Sequence, residues 1–307
     1  MESRAPQSSL APGPTLVLGG SGFLGAHVVV ALGKSSVSAS REVGPVEPGR
    51  FVRLDARTPG DLDRVLGEVR PARILDCAAY SSVAEAESQP ELARLLNVEV
   101  PRTLARWCAQ EGARFVHVST DLVFGATAPP PAGFREEDPP GPVSEYGRSK
   151  VAGEAALLEA FPAALIVRLP LMYGDSFGRG RGASDSLLVS LENGHRPTLL
   201  TDEWRTPLEV SNAARALVEL SALDVHGILH LAGPDRISRY DFGMTVIDVY
   251  RFARGKPREQ VRAGSRSEAR LSSRPADVSL DASRARGLLQ TPLLGVRAGL
   301  EKACAPR

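Results

Sequence analysis

Hydrophobic and polar positions alternate along this chain in two repeating signatures. Short apolar runs of four to six residues are each followed by stretches with helical spacing of Leu, Val and Ala. The first run, Thr15–Leu18, leads through a glycine-rich turn into the apolar stretch Ala26–Leu32. Further strands are predicted at Ser36–Ser40, at Phe51–Leu54 ending on Asp55, at Arg73–Cys77, at Arg114–Ser119 and at Ala163–Arg168. Between them, helical spacing covers Pro59–Val69 with proline at its start, then Glu91–Asn97, Arg102–Gln110 and Ser144–Glu159. Ser82 and Glu85 have the spacing of a capping box. Gly125–Pro142 is too broken by proline and glycine for regular structure. This alternation predicts an α/β fold of Rossmann type: a doubly wound parallel sheet with helices on both faces.

After Tyr173 the pattern changes. Gly174–Gly182 is a loop rich in glycine and arginine, followed by helices near Leu187–Glu192 and over Ser211–Leu223. Gly227–Leu231 reads as a strand returning to the main sheet, and Tyr240–Phe252 as a helix. Arg251–Arg274 is arginine-rich and reads as a solvated basic face. The expected organisation is a disordered leader at 1–14, a dinucleotide-binding domain at 15–170 to which 205–232 return, and a smaller α/β substrate-binding domain from 171–204 and 233–307.

Composition narrows the partners. A formal net charge of +1 over 307 residues gives no electrostatic reason to expect nucleic acid or an anionic membrane. No apolar run has the ~20 residues needed to cross a bilayer. Three scattered cysteines (Cys77, Cys108, Cys304) suggest neither a disulfide framework nor zinc, and a cytoplasmic location is expected. His27, His117, His195, His226 and His230 show no metal-ligand spacing, so no metal is assigned; His117 and His230, in predicted strands, are expected to be packed or hydrogen-bonded.

Candidate chemistry lies in three places. Gly19, Gly22 and Gly25, spaced three apart between a strand and a helix, suit a pyrophosphate: tight turn, close backbone approach, and helix packed on strand. Tyr146 and Lys150 stand four apart on one helical face, where an ammonium is expected to lower the pKa of a phenol from about 10. Ser119-Thr120-Asp121 brings hydroxyls to a strand end, at the sheet edge where ligands bind in open α/β folds. The second strand ends in Ser40-Arg41 rather than an acid, which favours the 2′-phosphate of NADP(H), with NAD(H) as the alternative.

With Gly19, Gly22, Gly25, Tyr146 and Lys150 the chain resembles the extended short-chain dehydrogenase/reductase family. The stretches Ala78–Glu87, Ser119–Phe124, Tyr146–Glu154 and Arg274–Asp281, with Asn97, resemble its dTDP-4-dehydrorhamnose reductase branch. The resemblance implies an NADPH-dependent reductase of a keto group on a nucleotide-activated deoxysugar. Thr120 would orient the carbonyl and Tyr146 donate the proton; Lys150 would tune Tyr146 and hold the nicotinamide ribose. Ser21, Phe23 and Leu24 of the turn, Asp55 and Ala56 near the adenine, and Ala78, Ala79 and Tyr80 would line the cofactor. Leu171, Arg205 and Arg274 would face the substrate, and Arg168 and the arginines of 179–181 are further candidates for its pyrophosphate. Leu171 and Val278 stand where that branch has tryptophan and serine.

Asp202–Pro207 is also similar to the regulatory β-subunit of methionine adenosyltransferase, which implies a non-catalytic, NADP-binding alternative. An NAD-dependent sugar-nucleotide epimerase is another alternative. Dehydration is disfavoured because Thr120-Asp121 is followed by Leu122 rather than a second acid. The substrate is expected to be a small nucleotide sugar, and a homodimer stays open.

Overall fold

The structure is a computed structural model that describes residues 13–254, 261–268 and 274–305. Nearly all of the expected leader therefore lies outside the described residues, as does part of the arginine-rich stretch. Six strands, β1 Thr15–Leu18, β2 Ser36–Ser40, β3 Arg50–Arg53, β4 Arg73–Asp76, β5 Arg114–Thr120 and β6 Leu165–Leu169, join a seventh, Gly227–His230. Their order is Gly227–His230, β6, β5, β4, β1, β2, β3, and every pairing is parallel. The strand order reverses between β1 and β4, so a crevice opens at the carboxyl ends of those two strands.

The helices that cover this sheet are α1 Phe23–Leu32, α2 Asp61–Val69, α3 Val83–Ser88, α4 Pro90–Arg94, α5 Val100–Glu111 and α6 Glu145–Ala160. On one face, Leu62, Val65 and Leu66 of α2 and Leu104 and Cys108 of α5 pack with Leu16, Ile74 and Phe115. On the other, Leu24 and Val28 of α1 pack with Val17, Val116 and Val167 and with Ala213 and Leu217 of α8 (Val210–Ser221). Both faces are sealed, which is why the strands read as continuous apolar runs.

Two departures from the expected elements have a clear local cause. α2 begins at Asp61, because Gly60 takes a left-handed conformation at φ 78° and Pro59 stays in the preceding turn. The two helical stretches expected at 91–110 are one continuous run, joined by a π-helical turn at Leu95–Glu99. Ser82 does cap α3, accepting from Glu85 N–H at 3.2 Å.

A smaller lobe is built from α7 Gly182–Glu192, α9 Arg239–Arg254 and α11 Val296–Cys304 around Tyr173, Leu187, Phe242, Val246 and Leu300. Three short strand pairs edge it: Met172–Tyr173 with Leu208–Glu209, Trp204–Arg205 with Ile237–Ser238, and Thr198–Leu200 with Arg262–Gly264. The last pair places part of the expected basic face in a strand. α10 Ser283–Leu288 lies beside the Gly227–His230 strand. No helix among the described residues is long and apolar enough to cross a membrane.

Candidate active site

Gly19 leaves β1 at φ 72°, a region open to glycine, and its carbonyl accepts the Gly22 N–H at 2.7 Å. A Cβ there would stand 2.9 Å from the Ala78 backbone, so the turn and the β4 loop touch only because no side chain intervenes. Gly25 works differently: its Cβ would overlap the Gly19 carbonyl oxygen and stand 3.0 Å from Gly20 Cα. It packs α1 against the turn and does not line the cleft. The N-terminus of α1 at Gly22 has no side-chain cap. Its first amides and positive dipole end are therefore directed at the crevice.

A cleft of about 1050 Å³ runs from this turn across the sheet edge. Gly19, Ser21, Gly22, Phe23 and Leu24 line one end, with Ser40, Arg41, Asp55 and Ala56 beyond them. Arg57, which the sequence reading passed over, joins them. Both oxygens of Asp55 accept from Arg57, Nε at 2.8 Å and Nη2 at 2.6 Å. That guanidinium, opposed by partial burial and helped by Arg41, holds the Asp55 carboxyl down at about 2. Two arginines thus flank the place where a dinucleotide's adenosine end would lie. Ala78, Ala79 and Tyr80 form the opposite wall. Asn97 fixes that wall: its side chain accepts from Tyr80 N–H at 2.9 Å and donates to Tyr80 O at 3.2 Å and Ser149 Oγ at 2.9 Å. The π-helical turn delivers Asn97 to this position.

Thr120 at the end of β5 and Tyr146 in the first turn of α6 meet in the middle of the cleft. Ser144 caps α6 by accepting from Gly147 N–H at 3.1 Å. α6 turns Tyr146, Lys150, Glu154 and Leu157 inward at helical spacing. Burial pushes the Tyr146 phenol up to about 12; a hydrogen bond with the Thr120 side chain opposes the rise and the Asp121 carboxylate adds to it. Lys150 does not offset this. Its ammonium is 1% exposed, outside the cleft lining, and bonds His117 Nε2 at 2.8 Å and the Val118 carbonyl at 2.9 Å. The expectation that Lys150 lowers the phenol's pKa is corrected: burial keeps the phenol protonated, and the ammonium is turned onto His117 and Val118. Burial lowers Lys150 itself to about 8.

Asp121, quoted in the sequence only as part of a run, is also at the site. Its Oδ1 accepts from Thr120 Oγ1 at 3.2 Å, while Oδ2 makes no hydrogen bond among the described residues and faces Arg205 at 3.7 Å. Burial raises it to about 6, with Arg205 opposing.

Leu171, Arg205 and Arg274 line the far end of the cleft. They are organised by a residue that sequence reasoning missed, Glu203, 4% exposed. Its carboxylate pairs with Arg205 at 3.2 Å, Arg274 at 3.3 Å and Arg239 at 3.9 Å. Three cations around one carboxylate leave this end positive, and Arg239 also lines it. From the glycine-arginine loop, Arg179 Nη1 donates to the Ser21 carbonyl at 2.6 Å, and Arg181 lines the cleft. These arginines stand over the glycine turn. The composition of the loop marked them as candidates, and long-range folding brings them to the turn.

Arg168, Val278 and Tyr173 lie elsewhere. Arg168 is 1% exposed and forked onto Glu154, at 3.0 and 2.7 Å, beneath the sheet edge. Val278 is fully buried with Phe124 and Phe134. Tyr173 packs edge-on against Phe242. Among the described residues no cluster of His, Cys, Asp and Glu is arranged to hold a metal ion.

Parallel strands in this order, a glycine turn opening a helix at the switch point, and a Tyr-x-x-x-Lys helix beside a strand-end hydroxyl define a dinucleotide-binding protein of the extended short-chain dehydrogenase/reductase class. More narrowly, the chain belongs to the family described as RmlD substrate binding domain, whose model matches residues 14–306. It is 34% identical over 241 residues to a dTDP-4-dehydrorhamnose reductase of Mycobacterium tuberculosis, covering 76% of this chain and 74% of that protein. It is 32% identical to the "Probable dTDP-4,6-dihydroxy-2-methyloxan-3-one 4-ketoreductase" of Streptomyces antibioticus, covering 94% and 93%. The methionine adenosyltransferase 2 subunit beta of Xenopus laevis is 30% identical, over 76% of this chain and 70% of that protein. Among solved structures, the dTDP-4-dehydrorhamnose reductase of Bacillus anthracis in complex with NADP matches with a TM-score of 0.78 and 25% identity, covering 95% and 98%.

Proposed function

We propose that this chain is an NAD(P)-dependent reductase, NADPH preferred, of a keto group on a dTDP-activated deoxysugar of the dehydrorhamnose kind. The observation that carries the reading is a protonated phenol, Tyr146, beside Thr120 in the same cleft as the glycine turn. Residues 15–170 with 205–232 form the dinucleotide-binding domain in this reading, and 171–204 with 233–307 the substrate lobe. Two named reductases among the relatives support it, as does the NADP complex of the Bacillus structure.

The residues fit the cofactor. The turn lies against the β4 loop because Gly19 has no Cβ, and it opens on an uncapped helix end. Ser21 and Gly22 would hold the pyrophosphate on that helix end, and Arg41 with Arg57 the 2′-phosphate. Ala78, Ala79 and Tyr80 would flank the rest. A bound NADPH supplies the hydride. The chain's own residues do the remainder: Thr120 donates to the ketone oxygen, and Tyr146 gives it a proton as negative charge develops there. A phenol held at about 12 keeps its proton throughout the neutral range, which suits a donor. Arg205, Arg239 and Arg274 would take the sugar's diphosphate, with Leu171 against the sugar.

The test is NADPH consumption by the purified chain with a dTDP-4-keto-6-deoxyhexose, read by absorbance with product identified by mass spectrometry. Turnover with that ketone supports the reading. The similarity to the methionine adenosyltransferase subunit favours a second one, a cofactor-binding regulatory subunit. Tight NADPH binding without turnover, together with a complex formed with a methionine adenosyltransferase catalytic subunit, would replace the first reading with the second.

A further inference from the structure

Behind the cleft wall, three titratable side chains from three different elements form one hydrogen-bonded line. Asp76 ends β4, His117 lies within β5, and Lys150 projects from α6. Their exposures are 0%, 0% and 1%. Lys150 Nζ is 2.8 Å from His117 Nε2, and His117 Nδ1 is 2.8 Å from Asp76 Oδ2. An ammonium has three donors and no acceptor, so the nitrogen facing it must carry the lone pair. That assigns the proton to Nδ1, which donates to Asp76. Burial and the Lys150 charge both hold the imidazole neutral, which agrees with this tautomer. The other Asp76 oxygen, Oδ1, accepts from the Ala78 N–H at 3.1 Å. One carboxylate therefore anchors both the buried lysine and the loop that walls the cofactor cleft.

We propose that Asp76 and His117 are positioning residues for Lys150: the neutral imidazole relays the Asp76 negative charge to the ammonium and fixes it one helical turn behind Tyr146. It bears on the reading of Tyr146 given above, since both side chains hang from one face of α6. The charges that bear on Lys150 come from β4 (Asp76) and from α6 itself (Glu154), while the His117 ring on β5 faces it neutral. Burial lowers the ammonium's affinity for its proton, and Asp76 followed by Glu154 raises it. Glu154 is already forked by Arg168 of β6. Asp76 is thus the carboxylate that answers the lysine, and it does so through the ring. With Asp76→Asn the charge is gone. If the amide oxygen stays on the Ala78 N–H, the amide NH₂ faces Nδ1 and forces the opposite tautomer, which turns an N–H toward Lys150. Both effects drive the proton off the lysine.

The chain has four lysines, Lys34, Lys150, Lys256 and Lys302. Full-length protein labelled with ¹³C at lysine Cε therefore gives four signals, and Lys150→Met assigns the buried one. The expected result is a Lys150 titration below the ordinary lysine value, moved down by a further ~1 pH unit, about tenfold in proton affinity, in Asp76→Asn. His117→Phe, which keeps a ring in the strand and breaks the line, is a second near-isosteric variant and should move it the same way. An unmoved Lys150 titration in either folded variant overturns the proposal. The titration needs no substrate, so absence of turnover by the wild type would sink the reductase reading while leaving this one standing.

Discussion

Removing Glu154 alone should cost more stability than removing Glu154 and Arg168 together. The Arg168 guanidinium is 1% exposed and donates to Glu154 through Nε at 3.0 Å and Nη2 at 2.7 Å, and Ser119 Oγ donates to the same carboxylate at 2.5 Å. With Glu154→Leu, the guanidinium keeps His230 Nε2 at 3.3 Å and the Phe124 ring at 5.1 Å. Neither carries a countercharge. Leaving one member of a buried pair unpaired costs about 3–5 kcal/mol, a large share of the ~5–15 kcal/mol that holds a typical domain folded. Arg168→Met should cost a similar amount by stranding the carboxylate. The double variant removes both charges, substitutes apolar groups, and should fall within ~1–2 kcal/mol of the wild type. Urea unfolding of all four proteins closes the cycle and isolates the coupling. Single variants that lose under ~1 kcal/mol, or a double variant equal to the sum of the singles, would refute the reasoning. The consequence reaches the site, because Ser119 precedes Thr120 on β5 and Glu154 lies one turn beyond Lys150 on α6.

Three further outcomes are expected. Gly25→Ala should weaken NADPH binding about 10–100-fold, since overpacking against backbone costs ~1–3 kcal/mol and each 1.4 kcal/mol is about tenfold; Gly67→Ala, with open space at its Cβ, should leave binding unchanged. Fluorescence titration of NADPH checks both. Arg41→Glu should lower NADPH affinity about tenfold or more while leaving NADH affinity nearly unchanged, as loss of a charged hydrogen bond to a phosphate predicts. Equal losses for the two cofactors would remove Arg41 from the 2′-phosphate site. For Asp121, burial lifts the pKa from the ordinary 3.8 to about 6. Between those values the unfolded carboxyl has lost its proton and the folded one has kept it, so its contribution to stability falls as pH rises from about 4 to about 6 and stays low above. Asp121→Asn should therefore melt above the wild type at pH ~8, with the difference closing below pH ~4; a difference independent of pH would contradict this.

The parts of the site that were legible in the sequence are those set by local spacing. The glycine turn follows directly from a strand running into a helix. Tyr146 and Lys150 share a helical face because they stand four apart, and Arg41 is placed by the end of β2. What escaped depends on contacts between distant segments. Glu203, Arg239 and Asp121 become one charged cluster only when the small lobe closes on the sheet edge. Asn97 reaches Tyr80 through a π-helical turn that no propensity signals. The role of Lys150 was misjudged for a related reason: spacing puts it near Tyr146, but the direction of its ammonium is decided by His117, 33 residues earlier on β5. Arg168 looked like an anion ligand because arginines usually reach solvent, yet Glu154 on the neighbouring helix holds it in the interior. Pro59 read as a helix start, and the left-handed Gly60 moved that start two residues on.

The central claim is that the buried Tyr146 phenol protonates a ketone in the cleft that the glycine turn opens. Single-turnover reduction of a dTDP-4-keto-6-deoxyhexose by wild type and Tyr146→Phe, each saturated with NADPH, tests it most directly. The account predicts that Tyr146→Phe binds NADPH as the wild type does and loses about 10²–10⁴-fold in the rate of reduction. A Tyr146→Phe protein that reduces the ketone at the wild-type rate would contradict it.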